Sequence, residues 1–184
     1  MDLREKKTRR SITNAFLEFR TKKPLEKITV KELCEKAEVS KATFYLHYKD
    51  IYDLSDVLQN NIIDEIMTFI TDPREMIYDP CKSTDELIRG FYSNRNIINI
   101  LFSGSQFSKL PEKTEGAIKE ILFSKYPELK TNVYANIRIT YQLMGSFYSF
   151  YKYEMEFGVE AVKGCVDEIT AMFENREYHI DGEE

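Results

Sequence analysis

Two helix-start signals follow one another closely in residues 29–48, and a pair of short helices joined by a tight turn satisfies both. Thr29 stands three residues before Glu32, the arrangement of a capping box. Val30, Leu33, Cys34 and Ala37 follow at the 0, 3, 4, 7 spacing of a helix with one buried face. Ser40 then offers a second N-cap and opens a helix over 41–48. Helices so connected form a helix-turn-helix candidate.

The rest of the chain reads as helix as well. No long alternation of apolar and polar residues marks a sheet, so the expected fold class is all-α. A first helix over 3–22 carries Ile12, Ala15, Phe16 and Phe19 on one side, with Arg4, Lys7 and Arg10 elsewhere on its surface. Pro24 ends it, because a proline disfavours helix in the residue before it. Asp50 caps a helix over 51–71, and residues 72–81, with two prolines, read as loop. Helices resume over 84–95, 97–102 and 111–125. A long one over 129–157 is divided from a last one over 159–174 by Gly158, a natural C-terminal cap. The expected organisation is an N-terminal module over 1–49 with a connecting helix 51–71, then a helical regulatory and dimerisation domain over 72–184.

The net charge of −5 conceals a division of sign. Residues 1–49 carry 13 Lys and Arg against 7 Asp and Glu, a balance of +6, while the remaining 135 residues stand at −11. The N-terminal module is therefore a separate electrostatic unit, suited to a polyanion or simply to a solvated, Lys-rich surface. Cys34, Cys81 and Cys165 are odd in number and far apart. They match neither a disulfide framework nor a zinc site and suit a reducing, cytoplasmic setting. The charged N-terminus does not read as a signal peptide. The longest uncharged stretches, 96–108 and 139–151, fall short of the ~20 apolar residues of a membrane span. A Gly-rich phosphate loop, a nucleophile elbow and a metal-ligand cluster are all missing, and the two histidines, His47 and His179, lie far apart. No catalysis, metal or cofactor is expected.

Turning residues 41–48 by 100° per residue puts Phe44 and Tyr48 together as a buried anchor. The opposite side holds Leu46 flanked by Ala42 and Thr43, with Tyr45, His47 and Lys49 on the shoulders. Small Ala42 and Thr43 let a backbone approach a DNA groove, and methyl-bearing side chains can meet a thymine methyl. Lys41, Tyr45 and Lys49 have donors and reach suited to phosphate oxygens. Thr29, at the start of the preceding helix, can hold another phosphate beside free N–H groups. The alternative is a small helical hairpin with a polar surface.

The segment TVKELCEKAEVSKATFYLHYKD, residues 29–50, resembles the helix-turn-helix signature of the TetR family of transcription regulators. The resemblance rests on Ser40-Lys41-x-Thr43, on Phe44-Tyr45-x-His47-Tyr48, on Lys49, and on Ala15 and Phe16 to Phe19 ahead of PLEKITV. It covers roughly the first 65 residues; beyond them the chain is similar only as a run of helices. It implies double-stranded DNA as partner, contacted by Thr29, Lys41, Thr43, Tyr45, His47 and Lys49, with Ala42 and Leu46 facing bases. It further implies a homodimeric repressor released by a small-molecule effector or a regulatory protein. Two positions depart from the family pattern, which usually has Gly at the turn where Glu38 stands and often Gly where Ala42 stands.

The long C-terminal helix has two apolar stripes and so needs two partners. Ile137, Tyr141, Met144, Tyr148, Tyr151 and Met155 follow one side; Ile139, Leu143, Phe150, Tyr153 and Phe157 follow the other. Leu143, Phe150 and Phe157, joined by Val162, Val166, Ile169 and Phe173 of the last helix, are expected to meet a second copy in a four-helix contact. A central position in a monomer is the alternative. Phe91, Tyr92, Arg95, Asn96, Tyr141, Gln142, Met144 and Tyr148 are the candidate ligand-contacting residues, an aromatic set that serves equally as core.

Overall fold

A computed structural model describes residues 3–172, which form ten α-helices joined by short turns, with no strand among the described residues. The chain makes two compact units. One holds the residues up to 66 together with 91–113; the other holds 67–90 and the residues from 114 onward.

In the first unit, α1 (Leu3–Arg20) buries Ile12, Ala15 and Phe16 and packs on α2 (Val30–Ala37) and on α7 (Arg95–Leu101). Helix α2 in turn packs on α3 (Lys41–Tyr45), and α4 (Ile51–Met67) adds Leu54, Ile63 and Ile66 to the core. The start signals are all used. Thr29 Oγ1 accepts from Glu32 N–H at 3.3 Å while Glu32 accepts from Thr29 N–H at 2.6 Å, the two halves of the capping box. Ser40 Oγ accepts from Thr43 N–H at 3.0 Å, and Asp50 Oδ1 from Asp53 N–H at 2.8 Å.

Residues 91–113 join this unit through polar side chains spread along the N-terminal helices. Arg20, buried at the end of α1, donates to the Ser103 hydroxyl at 2.8 Å and to the Ser103 carbonyl at 3.2 Å. Ser105 donates to the Glu26 carboxylate, buried Gln59 donates to the Leu101 carbonyl at 3.1 Å, and Lys113 bridges Asp56 and Asn60.

Several boundaries differ from expectation for visible reasons. Helix α3 is regular only to Tyr45, although Leu46 N–H still donates to Ala42 and Tyr48 N–H to Phe44, so the coil runs on to Tyr48. Residues 72–81 are not plain loop. A short α5 (Glu75–Tyr78) forms there because Met76 and Ile77 are buried, and α6 (Pro80–Ser93) starts at a proline, whose missing N–H costs nothing in a first turn. Helix α8 (Lys109–Lys125) begins two residues ahead of Pro111. Helix α9 (Val133–Phe157) starts later than expected, since Asn132 accepts from Ala135 N–H at 2.9 Å and caps it.

In the second unit α9 packs on α10 (Val159–Ala171), and Gly158 between them has φ 82°, as expected of a cap glycine. Buried Glu86 accepts from the Thr71 N–H and hydroxyl, and buried Arg138 donates to the Ile77 carbonyl at 3.2 Å, so both charges have polar partners. Lys163 lies between Asp85 and Asp167, at 2.7 and 2.6 Å, and hydrogen bonds to Asp167 and Asp85 raise its pKa. Among the described residues no helix is long and apolar enough to cross a membrane.

Candidate functional site

The exposed side of α3 and its flanks is set by what α3 buries. Five residues are too few for a free-standing helix. Phe44, with no exposed surface, and Tyr48, with 4%, hold the segment against its unit, their rings 5.6 Å apart. With those two inward, Lys41, Ala42, Tyr45, Leu46 and Lys49 stand exposed, and Thr43 and His47 are half-buried. Leu46 is 82% exposed, an apolar side chain held out toward solvent. All seven expected residues of this segment are therefore at least partly exposed. Thr29 is exposed at the head of α2, where its hydroxyl already accepts from Glu32 N–H.

The electrostatics of this surface follow from its pairs. A hydrogen bond from Lys23 at 2.6 Å and one from Thr29 N–H hold the Glu32 carboxyl below its ordinary pKa, and Lys23 offsets its charge beside the α2 N-terminus. Burial pushes the Tyr48 hydroxyl up, against the opposing field of Arg9 and a hydrogen bond with Thr13, both on α1. Burial likewise raises the Cys34 thiol, as suits a packed residue rather than a reactive one.

The turn between α2 and α3 bends at Glu38, which adopts the left-handed conformation at φ 55°, ψ 41°. Val39 N–H closes back on the Cys34 carbonyl at 3.0 Å, a Schellman-type ending. A side chain in that region costs on the order of 1–2 kcal/mol, and glycine, which avoids the strain, loses part of the gain to its freer unfolded chain. Glu38→Gly should therefore raise stability by up to about 1 kcal/mol in urea unfolding; a loss would show that the glutamate side chain contributes something else to the turn.

The expected ligand-contacting residues fall into two sets. Phe91 and Tyr92, half-buried, and Arg95 and Asn96, exposed, belong to the first unit, with the Arg95 guanidinium 5.4 Å from the Tyr92 ring centre. Tyr141 and Tyr148, exposed, and Gln142 and Met144, half-buried, belong to the second. A shallow cleft of about 260 Å³ lies along Ser11, Asn14, Ala15 and Glu18 of α1 and Lys36, Ala37 and Glu38. There hydrogen bonds from Lys22 and Lys36 hold the Glu18 carboxyl down at about 2.

Of the residues expected at a subunit contact, Val162 and Val166 are buried within the second unit, Leu143 and Phe150 are half-buried, and Phe157 and Ile169 are exposed. Phe173 lies outside the described residues. On the opposite side of α9, Ile137, Tyr141, Tyr148, Tyr151 and Met155 are exposed as well. Two stripes were legible in the sequence, and each of them keeps exposed residues.

No family model, curated protein or solved structure matches the chain.

Proposed function

We propose that this chain is a sequence-specific DNA-binding transcription regulator that acts as a homodimer in the cytoplasm, most simply as a repressor. The observation that carries this reading is the surface of α3. A segment too short to stand alone is held by Phe44 and Tyr48 so that Ala42, Tyr45, Leu46 and Lys49 project together from the basic part of the chain. Residues 29–48 thus act as a helix-turn-helix. Helix α3 enters a major groove, Ala42 and Leu46 meet base edges, and Lys41, Thr43, Tyr45, His47, Lys49 and Thr29 fix its position on phosphates.

Two copies bind half-sites about one turn of DNA apart, ~34–36 Å, so the operator is palindromic. The exposed residues of α9 form the surface through which the copies meet. A small-molecule effector, or a regulatory protein, releases DNA by preferring an arrangement of the dimer that does not fit the operator. This last element rests on the resemblance to TetR regulators alone.

Selection of bound duplexes from a random pool, followed by a salt titration on the winner, tests the reading. Enrichment of a palindrome with a steep negative slope of log affinity against log salt is the expected result. A folded dimer that enriches nothing would favour a helical interaction module that binds no DNA. On the selected duplex, Tyr45→Ala and Lys49→Ala should each weaken binding on the order of tenfold, with the Lys49 variant also flattening the salt slope by about one. Unchanged affinity in both variants would remove α3 from the interface.

A further inference from the structure

We infer that α3 reads its operator through thymine methyl groups, with Leu46 and Ala42 as the reading side chains; the inference rests on the reading that α3 docks in a major groove. Bidentate recognition of a base edge uses arginine or lysine for guanine and asparagine or glutamine for adenine, while a carboxylate accepts from cytosine. Residues 40–49 contain no Arg, Asn, Gln, Asp or Glu, and their two lysines, Lys41 and Lys49, stand toward the ends of the stretch, where the proposed docking sets them on phosphates. Thr43 and His47 are half-buried, and the Thr43 hydroxyl lies 2.8 Å from that of Ser40, so part of its bonding capacity is used inside the cap. Between the lysines the exposed groups are the Ala42 methyl, the Tyr45 ring and the Leu46 isobutyl group.

Leu46, 82% exposed, gains little from its own fold, and phosphate oxygens offer it nothing. An apolar side chain gains by leaving water where it meets another apolar surface. The apolar group that bases present in the major groove is the thymine C5 methyl. A purine N7 or a cytosine amino group set against Leu46 would give up its water partner and receive none, which costs affinity. Leu46 therefore favours thymine and penalises polar base edges, and both effects add to specificity.

Geometry limits where those thymines stand. Leu46 N–H donates to the Ala42 carbonyl at 3.1 Å, so the two residues are one helical turn apart and share a side of α3. Four residues rise about 6 Å along a helix, and base pairs are spaced by about 3.4 Å. The methyl groups met by Leu46 and Ala42 thus lie within about two base pairs of each other in each half-site, on either strand. Buried Phe44 and the Ser40 cap hold the coil that carries both residues, so this spacing is set before DNA arrives.

The selected palindrome, remade with uracil in place of one thymine at a time, tests this, because each change removes one methyl group and keeps the base pairing. With the full chain in fluorescence anisotropy, affinity should fall about fourfold at each thymine that Leu46 or Ala42 meets and stay unchanged at the others. Leu46→Ala alters an exposed side chain and should bind the all-thymine duplex more weakly while losing its sensitivity to uracil at one of those positions; Ala42→Gly should lose it at the other. Equal binding of every uracil duplex, a selected half-site without two thymines so spaced, or a uracil effect undiminished in both variants would overturn methyl reading. In each of these cases α3 docking stands if Tyr45→Ala still weakens binding. If the unaltered protein enriches no duplex, methyl reading and α3 docking fall together.

Discussion

Phe44→Ala should lower the stability of the first unit by about 3–5 kcal/mol and abolish binding to the selected duplex. Phe44 is fully buried, its ring beside that of Tyr48, and is the fourth residue of a helix of five. So short a segment has almost no helical stability of its own, and its geometry comes from the pocket its aromatic residues fill. Emptying that pocket costs the transfer of the ring and leaves a cavity that the surrounding side chains close only in part. The neighbouring Tyr45→Ala makes the comparison informative, because Tyr45 is 57% exposed and its removal should leave the unfolding midpoint in urea unchanged. A Phe44 variant that unfolds at the wild-type midpoint would mean that α3 is held by something other than its aromatic anchor.

That pair of residues also shows how much of the fold and the site was legible in the sequence. Phe44 and Tyr48 on one side of α3 and Leu46 on the other follow from helical spacing alone, since both ends of the segment are marked by caps, Ser40 before it and Asp50 after it. Caps act within four residues, so local sequence carries them. Burial that depends on distant chain was not legible. Met76 and Ile77 make a helix out of a proline-flanked stretch because each is pinned inside the second unit. Arg20, which reads as an ordinary last-turn cation of α1, is buried against Ser103, 83 positions away, and so helps to draw residues 91–113 into the N-terminal unit.

Tyr141→Asp combined with Tyr148→Asp should convert a dimer into a monomer and weaken binding to the palindromic duplex by about a hundredfold or more, while a single half-site is bound nearly as before. From 133 to 151 α9 contains one charged residue, Arg138, and that one is buried, so its outer surface is uncharged over about 28 Å of helix. Monomers rarely leave a continuous apolar strip of that length in water, and tyrosine with methionine is a composition typical of the core of a protein contact. Under the proposed function, a second copy is the occupant that also serves the first unit. One α3 grips too little DNA for specific binding, whereas two held together turn the second docking event into an intramolecular one. Paired aspartates on the stripe would have to be buried without partners in such a dimer, a cost several times that of losing the rings alone. Sedimentation velocity on the variant, beside anisotropy with full and half sites, separates the outcomes. A dimer that persists would move the interface to the exposed end of α10, at Ile169 and Met172. A wild-type protein that is already monomeric, yet binds the palindrome with the same affinity as the variant, would remove the dimer from the mechanism.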